Sequence, residues 1–131
     1  MNKLKGQILT IQSTQHLSLL EIGIEDDILH LLLLEKPIES VCSDVVLVFK
    51  ESEVMLSKEP LISTANTCKA RIHKIEYGEI LTYVTLLYKD EQIAALIPTA
   101  SFEPLNCKLN EEVYWIINPS EISLRREHRG K

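Results

Sequence analysis

The sequence predicts an all-β chain of two tandem five-stranded Greek-key barrels, each with a short helix. Three observations predict it. The chain repeats itself: Asn2-Lys3-Leu4-Lys5-Gly6-Gln7-Ile8 opens one half and Asn66-Thr67-Cys68-Lys69-Ala70-Arg71-Ile72 opens the other, a shift of 66 − 2 = 64 residues. Both halves close alike, Ser52-Glu53-Val54-Met55-Leu56 against Ser120-Glu121-Ile122-Ser123-Leu124, a shift of 120 − 52 = 68, so the second copy carries four extra residues. Between these ends the apolar residues alternate, or run in short β-rich bursts bounded by polar turns.

The elements follow in order. Gln7–Gln12 and Leu17–Ile24 read as strands, and Glu25-Asp26-Asp27 as a polar turn. Ile28–Leu34 taken alone fits a buried helix, because Leu is a good helix former. The second copy decides for a strand. Its equivalent, Gln92–Pro98, follows a Lys89-Asp90-Glu91 turn after the β-rich Leu81–Tyr88. A short helical turn is expected at Pro37–Cys42 and again at Ser101–Leu105. Val45–Phe49 and Val113–Ile117 are the fourth strands, Val54–Leu56 and Ile122–Leu124 the last. Five short strands with a helix between the third and fourth make an OB-fold-like barrel. The expected domains are 1–58 and 63–125, with 126–131 a disordered basic tail. The linker Ser57–Ile62 is too short to let the copies wander, so they should pack as one body. That also helps stability, because a unit of about 60 residues is marginal alone.

Bulk properties exclude several function classes. The net charge is −5 and aromatic content 5%. Nucleic-acid partners need clustered cations and stacking rings, so none is expected. The longest apolar run, Ile28–Leu34, is interrupted by His30 and far too short to span a bilayer. No signal-peptide core follows Met1, and no membrane partner is expected. Cys42, Cys68 and Cys107 lack C-x-x-C spacing, which argues for buried free thiols in a reducing cytoplasm. No catalytic motif is present: the four histidines have no paired spacing and the four glycines form no phosphate loop. An enzyme is not expected. The acidic turns at the hairpin tips are read as solvated rather than metal-binding.

What stands out is a set of small hydroxyl and amide residues at matching places. Ser63-Thr64-Ala65-Asn66 precedes the second copy's first strand, and Thr99-Ala100-Ser101 follows its third. Ser52 and Ser120 follow the fourth strands, and Lys5, Lys50 and Lys69 lie near these ends. Such residues also serve turns and helix caps, with Ser101 a candidate N-cap.

These motifs resemble the Mop family of small molybdate-binding modules, grouped with TOBE domains. That family opens near Ser-Ala-Arg-Asn-x-Leu-Lys-Gly, matched by Ser63-Thr64-Ala65-Asn66-Thr67-Cys68-Lys69-Ala70 and by Asn2-Lys3-Leu4-Lys5-Gly6. Its middle motif, near Ile-Thr-Asn-Ala-Ser-Val, corresponds to Ile97-Pro98-Thr99-Ala100-Ser101-Phe102. Its closing motif, near Lys-Ala-Ser-x-Val-x-Leu, corresponds to Lys50–Leu56 and Asn118–Leu124. The resemblance implies ligand-binding roles for Asn2, Lys5, Lys50, Ser52, Ser63, Thr64, Ala65, Asn66, Lys69, Thr99, Ala100, Ser101 and Ser120. It implies molybdate as the ligand, tungstate as competitor, and sites formed between the subunits of a homotrimer. A cytoplasmic, non-catalytic storage and homeostasis role follows, with a molybdate-sensing regulatory module, or a barrel that has lost its ligand, as the alternatives. The chemistry is reasonable for an acidic chain. Molybdate is a tetrahedral dianion whose oxygens only accept, so local N–H and hydroxyl donors can hold it without net positive charge. The copies depart from the pattern unequally. Ala65 stands at the family's Arg position, Asn118 replaces the closing Lys, and Glu35-Lys36-Pro37 stands where Thr-Ala-Ser belongs in the first copy. Sites using Thr99, Ala100 and Ser101 are therefore expected to bind better.

Overall fold

The computed structural model describes residues 1–60 and 66–126. Ser63, Thr64 and Ala65, the end of the linker, and tail residues 127–131 lie outside the described residues. Ten strands run in chain order: β1 Asn2–Ser13, β2 Ser18–Ile24, β3 Asp27–Leu33, β4 Asp44–Phe49, β5 Met55–Ser57, β6 Thr67–Glu76, β7 Leu81–Tyr88, β8 Glu91–Pro98, β9 Glu112–Ile116 and β10 Ser123–Arg126. The Leu-rich run is a strand, and its burial shows why. Leu29 and Leu31 are fully buried while Ile28 is 45% exposed, the two-residue period of a sheet with one face inward. Arg126, expected in the tail, is the last residue of β10.

The strands form two antiparallel five-stranded sheets, in the orders β10-β4-β1-β2-β3 and β5-β9-β6-β7-β8. Each copy thus gives its last strand away. Met55, Leu56 and Ser57 of β5 pair with Ile116, Trp115 and Tyr114 of the second copy, and Ser123–Arg126 of β10 pair with Val48–Val45 of the first. The division of the chain into successive halves does not coincide with its division into sheets. The inner faces share one core, in which Phe49 of β4 stacks on Trp115 of β9 at 5.7 Å and Tyr88 meets the same indole edge-on at 5.2 Å. Two copies that are each too small to enclose a core therefore bury their largest side chains against each other.

The long first strand of each copy bends where its register shifts, between Ile8 and Thr10 in β1 and between Ile72 and Lys74 in β6. The equivalence is again 72 − 8 = 64. Such bulges let one strand pair with different neighbours along its length and curl the sheet. Opposite each bulge a loop residue closes on it: Cys42 N–H donates to Ile8 O at 2.7 Å, and Asn110 N–H to Ile72 O at 2.7 Å. Both loop residues are left-handed, with φ of 74° and 68°. Asn adopts that conformation at lower cost than Cys. Cys42→Asn, which installs the second copy's own residue, is expected to stabilise the protein by roughly 0.5–1 kcal/mol. A urea midpoint that fails to rise at unchanged slope would count against this reading of the turn.

The copies differ at the helix. The second has one: α1, Thr99–Phe102, continued by a 3-10 turn at Glu103–Leu105. It begins at Thr99 with Pro98 before it, so Ser101 lies inside the helix rather than capping it. Phe102, 1% exposed, anchors it to the core and meets Tyr77 edge-on at 5.9 Å. The helical turn expected at Pro37–Cys42 is absent, and those residues form bends and a turn. The position matching Phe102 is Ile38 (102 − 64), which is 88% exposed. Without a buried side chain to hold it, a single helical turn has nothing to offset its ordering cost.

The thiols also depart from expectation. Cys68 and Cys107 are buried, but Cys42 is exposed on its turn. Burial pushes the Cys68 thiol up to about 11 and raises Cys107 as well. A disulfide-exchange reagent at pH 8 should therefore react quickly with one thiol of three, and with the other two only on unfolding. Two fast thiols in the native protein would contradict the buried placement of Cys68 and Cys107.

Candidate functional site

The opening Asn residues are placed by the strand edges they face. β3 and β8 are the outer strands of their sheets, so their outward backbone groups need partners. Asn2 supplies them for β8: its Nδ2 donates to Ala94 O at 2.9 Å and its Oδ1 accepts from Ala94 N–H at 2.8 Å. Asn66 does the same for β3, donating to His30 O at 2.8 Å and accepting from His30 N–H at 2.7 Å. The partners are related by 94 − 30 = 64, so the two copies brace each other reciprocally. A side-chain amide carries the donor and acceptor pair of a peptide group and can stand in for a missing strand. Asn2 is 5% exposed and Asn66 fully buried.

Beside each brace lies a one-turn 3-10 helix carrying the closing-motif Ser. Glu51–Glu53 holds Ser52, and Pro119–Glu121 holds Ser120. Strand exchange brings the first of these against the second copy's middle motif. Ser52, Val54, Met55 and Leu56 line one side of a concavity of about 360 Å³, and Leu96, Ile97, Pro98, Ser101 and Leu105 line the other. Lys50 precedes the Ser52 turn, exposed, and caps it with no side-chain hydrogen bond. Ala100 is exposed on the first turn of α1. The arrangement gathers two hydroxyl donors, Ser52 and Ser101, around a partly apolar hollow, with both copies contributing.

Other expected residues are placed elsewhere. Thr99 turns inward: its hydroxyl donates to Gly78 O at 2.7 Å and lies 2.8 Å from the Thr82 hydroxyl, while its N–H donates to Ile80 O. It pins the start of α1 and offers no side-chain donor to the hollow. Lys5 and Lys69 line two separate grooves on the outer sheet faces. One, of about 610 Å³, is lined by Lys5 with Gly6, Gly23, Glu25, Asp26, Asp27 and Asp44 among others; the other, about 330 Å³, by Lys69, Ala70, Arg71, Leu87, Lys89 and Glu112. The structure therefore brings together Ser52 and Ser101, with Lys50 and Ala100 near them in sequence and Asn2 bracing β8. It does not bring Lys5 or Lys69 to that hollow.

The hairpin tips are largely exposed, with the Asp26 side chain at 87%, and they also meet across the copies. Lys89 Nζ lies 2.5 Å from Asp26 Oδ1 and 3.5 Å from Asp27 Oδ2, and the Tyr88 hydroxyl donates to Asp27 Oδ2 at 2.7 Å. The Lys89 bond holds the Asp26 carboxyl below its ordinary range and raises the Lys89 ammonium in turn. Burial pushes the Tyr88 phenol upward. The one sequence signal for this clasp is that Tyr88-Lys89 stands where the first copy has Ile24-Glu25. Among the described residues, no group of His, Cys, Asp and Glu side chains is placed to hold a metal ion, and no helix is long and apolar enough to cross a membrane.

Comparison with known proteins adds two findings. Residues 62–124 match the model of the TOBE domain. No curated protein matches the chain. Among solved structures, it is similar to the cytoplasmic molybdate-binding protein ModG, crystallised with molybdate bound, with a TM-score of 0.89 at 20% sequence identity. The likeness covers 96% of each chain, so both copies share that protein's fold.

Proposed function

We propose, from the premise that the second copy of this chain is a TOBE domain, that the protein binds molybdate, or tungstate in its place, and catalyses no reaction. One observation supports this above the rest. The closing motif of the first copy and the middle motif of the second converge on a single hollow, through Ser52 and Ser101. Hydroxyl donors suit a tetrahedral oxyanion, whose oxygens only accept. The full-length likeness to a molybdate-binding protein supports the same ligand.

The hollow is open and partly apolar, which suits a site completed by a neighbouring subunit. Tyr77, Ile80 and Leu81 are 63%, 77% and 45% exposed beside α1, an apolar rim that association would cover. In this reading the chain forms a trimer and serves cytoplasmic storage and homeostasis of the oxyanion. Calorimetry with molybdate, tungstate and sulfate tests it. Molybdate and tungstate should release or absorb heat and raise the melting temperature, since a ligand bound only by the native state stabilises it. Absence of both heat and thermal shift with molybdate sinks the proposal.

A further inference from the structure

The pseudo-twofold relation between the copies should give every chain two equivalent hollows, one at Ser52 and one at Ser120. The structure builds them differently. At the first, Lys50 follows β4 and its side chain makes no capping hydrogen bond to the 3-10 turn. At the second, the matching residue is Asn118 (118 − 50 = 68), and its Oδ1 accepts from both Ser120 N–H, at 3.1 Å, and Ser120 Oγ, at 3.0 Å. Among the described residues Ser52 has no such internal acceptor, whereas both donors of Ser120 are spent on Asn118, and a cation has become a neutral acceptor.

The opposite wall differs in the same direction. Where the first hollow has Ser101 on α1, the second has Pro37 (101 − 64), with neither hydroxyl nor N–H. Where Thr99 pins the helix, the second has Glu35, exposed and repulsive toward an anion. No helix forms there, because Ile38 is exposed where Phe102 is buried. Asn118 removes a cation and Pro37 removes donors, while Glu35 adds a negative charge.

We infer that each chain holds one oxyanion, at the Ser52–Ser101 hollow, and that Asn118 closes the Ser120 position by satisfying its donors from within. This rests on the binding reading above and sharpens it to a count and a place. The first copy then contributes its closing motif to the working site, while its own middle segment has left ligand duty.

Titration of the intact protein with sodium molybdate, read by calorimetry and by equilibrium dialysis, tests it. The expected result is one molybdate per chain, with the affinity falling at least tenfold in Ser52→Ala. Ser101→Ala should fall similarly, which guards against a single variant acting through folding; circular dichroism and the urea midpoint check that both remain folded. Two molybdates per chain in the wild type overturn this inference while leaving the binding proposal intact. So does tight binding that survives Ser52→Ala but is lost in Ser120→Ala. No binding at all removes the proposal and the inference together.

Discussion

A polypeptide of residues 58–126, which contains the whole span of the TOBE match, will not fold as a monomer. It begins after β5, so β9 loses the strand that covers its outer edge through Ile116, Trp115 and Tyr114. Its own β10 would have no β4 to pair with, and its Trp115 no Phe49 to stack on. Asn66 would lose His30 and be left with a buried amide lacking those partners. Each deficit is worth on the order of 1–3 kcal/mol, and together they match the 5–15 kcal/mol that holds an ordinary domain. The isolated segment should either sediment as an unfolded chain with solvent-like tryptophan emission or exchange its strand with another copy of itself. A monomer that unfolds cooperatively, with the blue-shifted emission of a buried Trp115, would refute this.

The second large effect is expected at the opening asparagines. Asn66→Ala should destabilise the protein by about 2–4 kcal/mol, because two hydrogen bonds go and the backbone N–H and C=O of His30 are stranded. Asn2→Ala should cost a similar amount at Ala94. The two braces share no partner, so the double variant should be additive to within about 0.5 kcal/mol. A pure ligand donor would behave otherwise: its loss would weaken binding and leave the urea midpoint of the ligand-free protein unchanged. Denaturation without molybdate therefore separates bracing from binding at these positions.

These asparagines also show what the sequence could and could not say. Strand period and turn chemistry placed each strand that they bounded to within a few residues, β1 excepted, because alternation is written locally in the side chains. The same alternation held an unused clue at the site. In β1, Asn2 and Leu4 are buried while Lys3 and Lys5 are exposed, so Asn2 and Lys5 lie on opposite faces. Parity alone separates them, as it separates Cys68 from Lys69 in β6. The missing helix at Pro37–Cys42 was equally local in origin, turning on whether position 38 reaches the core. Strand exchange was not legible in the same way. Met55-Leu56-Ser57 is a strand of three residues, and nothing in three residues names the sheet that will accept them. Thr99 turned inward for a similar reason, since its acceptor, Gly78 O, belongs to a loop folded back from another strand.

The exchange of last strands has a consequence for how the chain is made. β4 is complete at Phe49, yet its outer partner does not exist until Ser123–Arg126 has been synthesised, 123 − 49 = 74 residues later. Until then the first sheet carries a bare edge at Val45–Val48, and Phe49 waits for Trp115. Growing from the ribosome at about 5–20 residues per second, the first copy spends several seconds with that edge open before the strand that seals it arrives. The first sheet is thus sealed only once the second copy's last strand has been made, and a ribosome stalled before Ser123 would hold a first copy whose outer edge is still open.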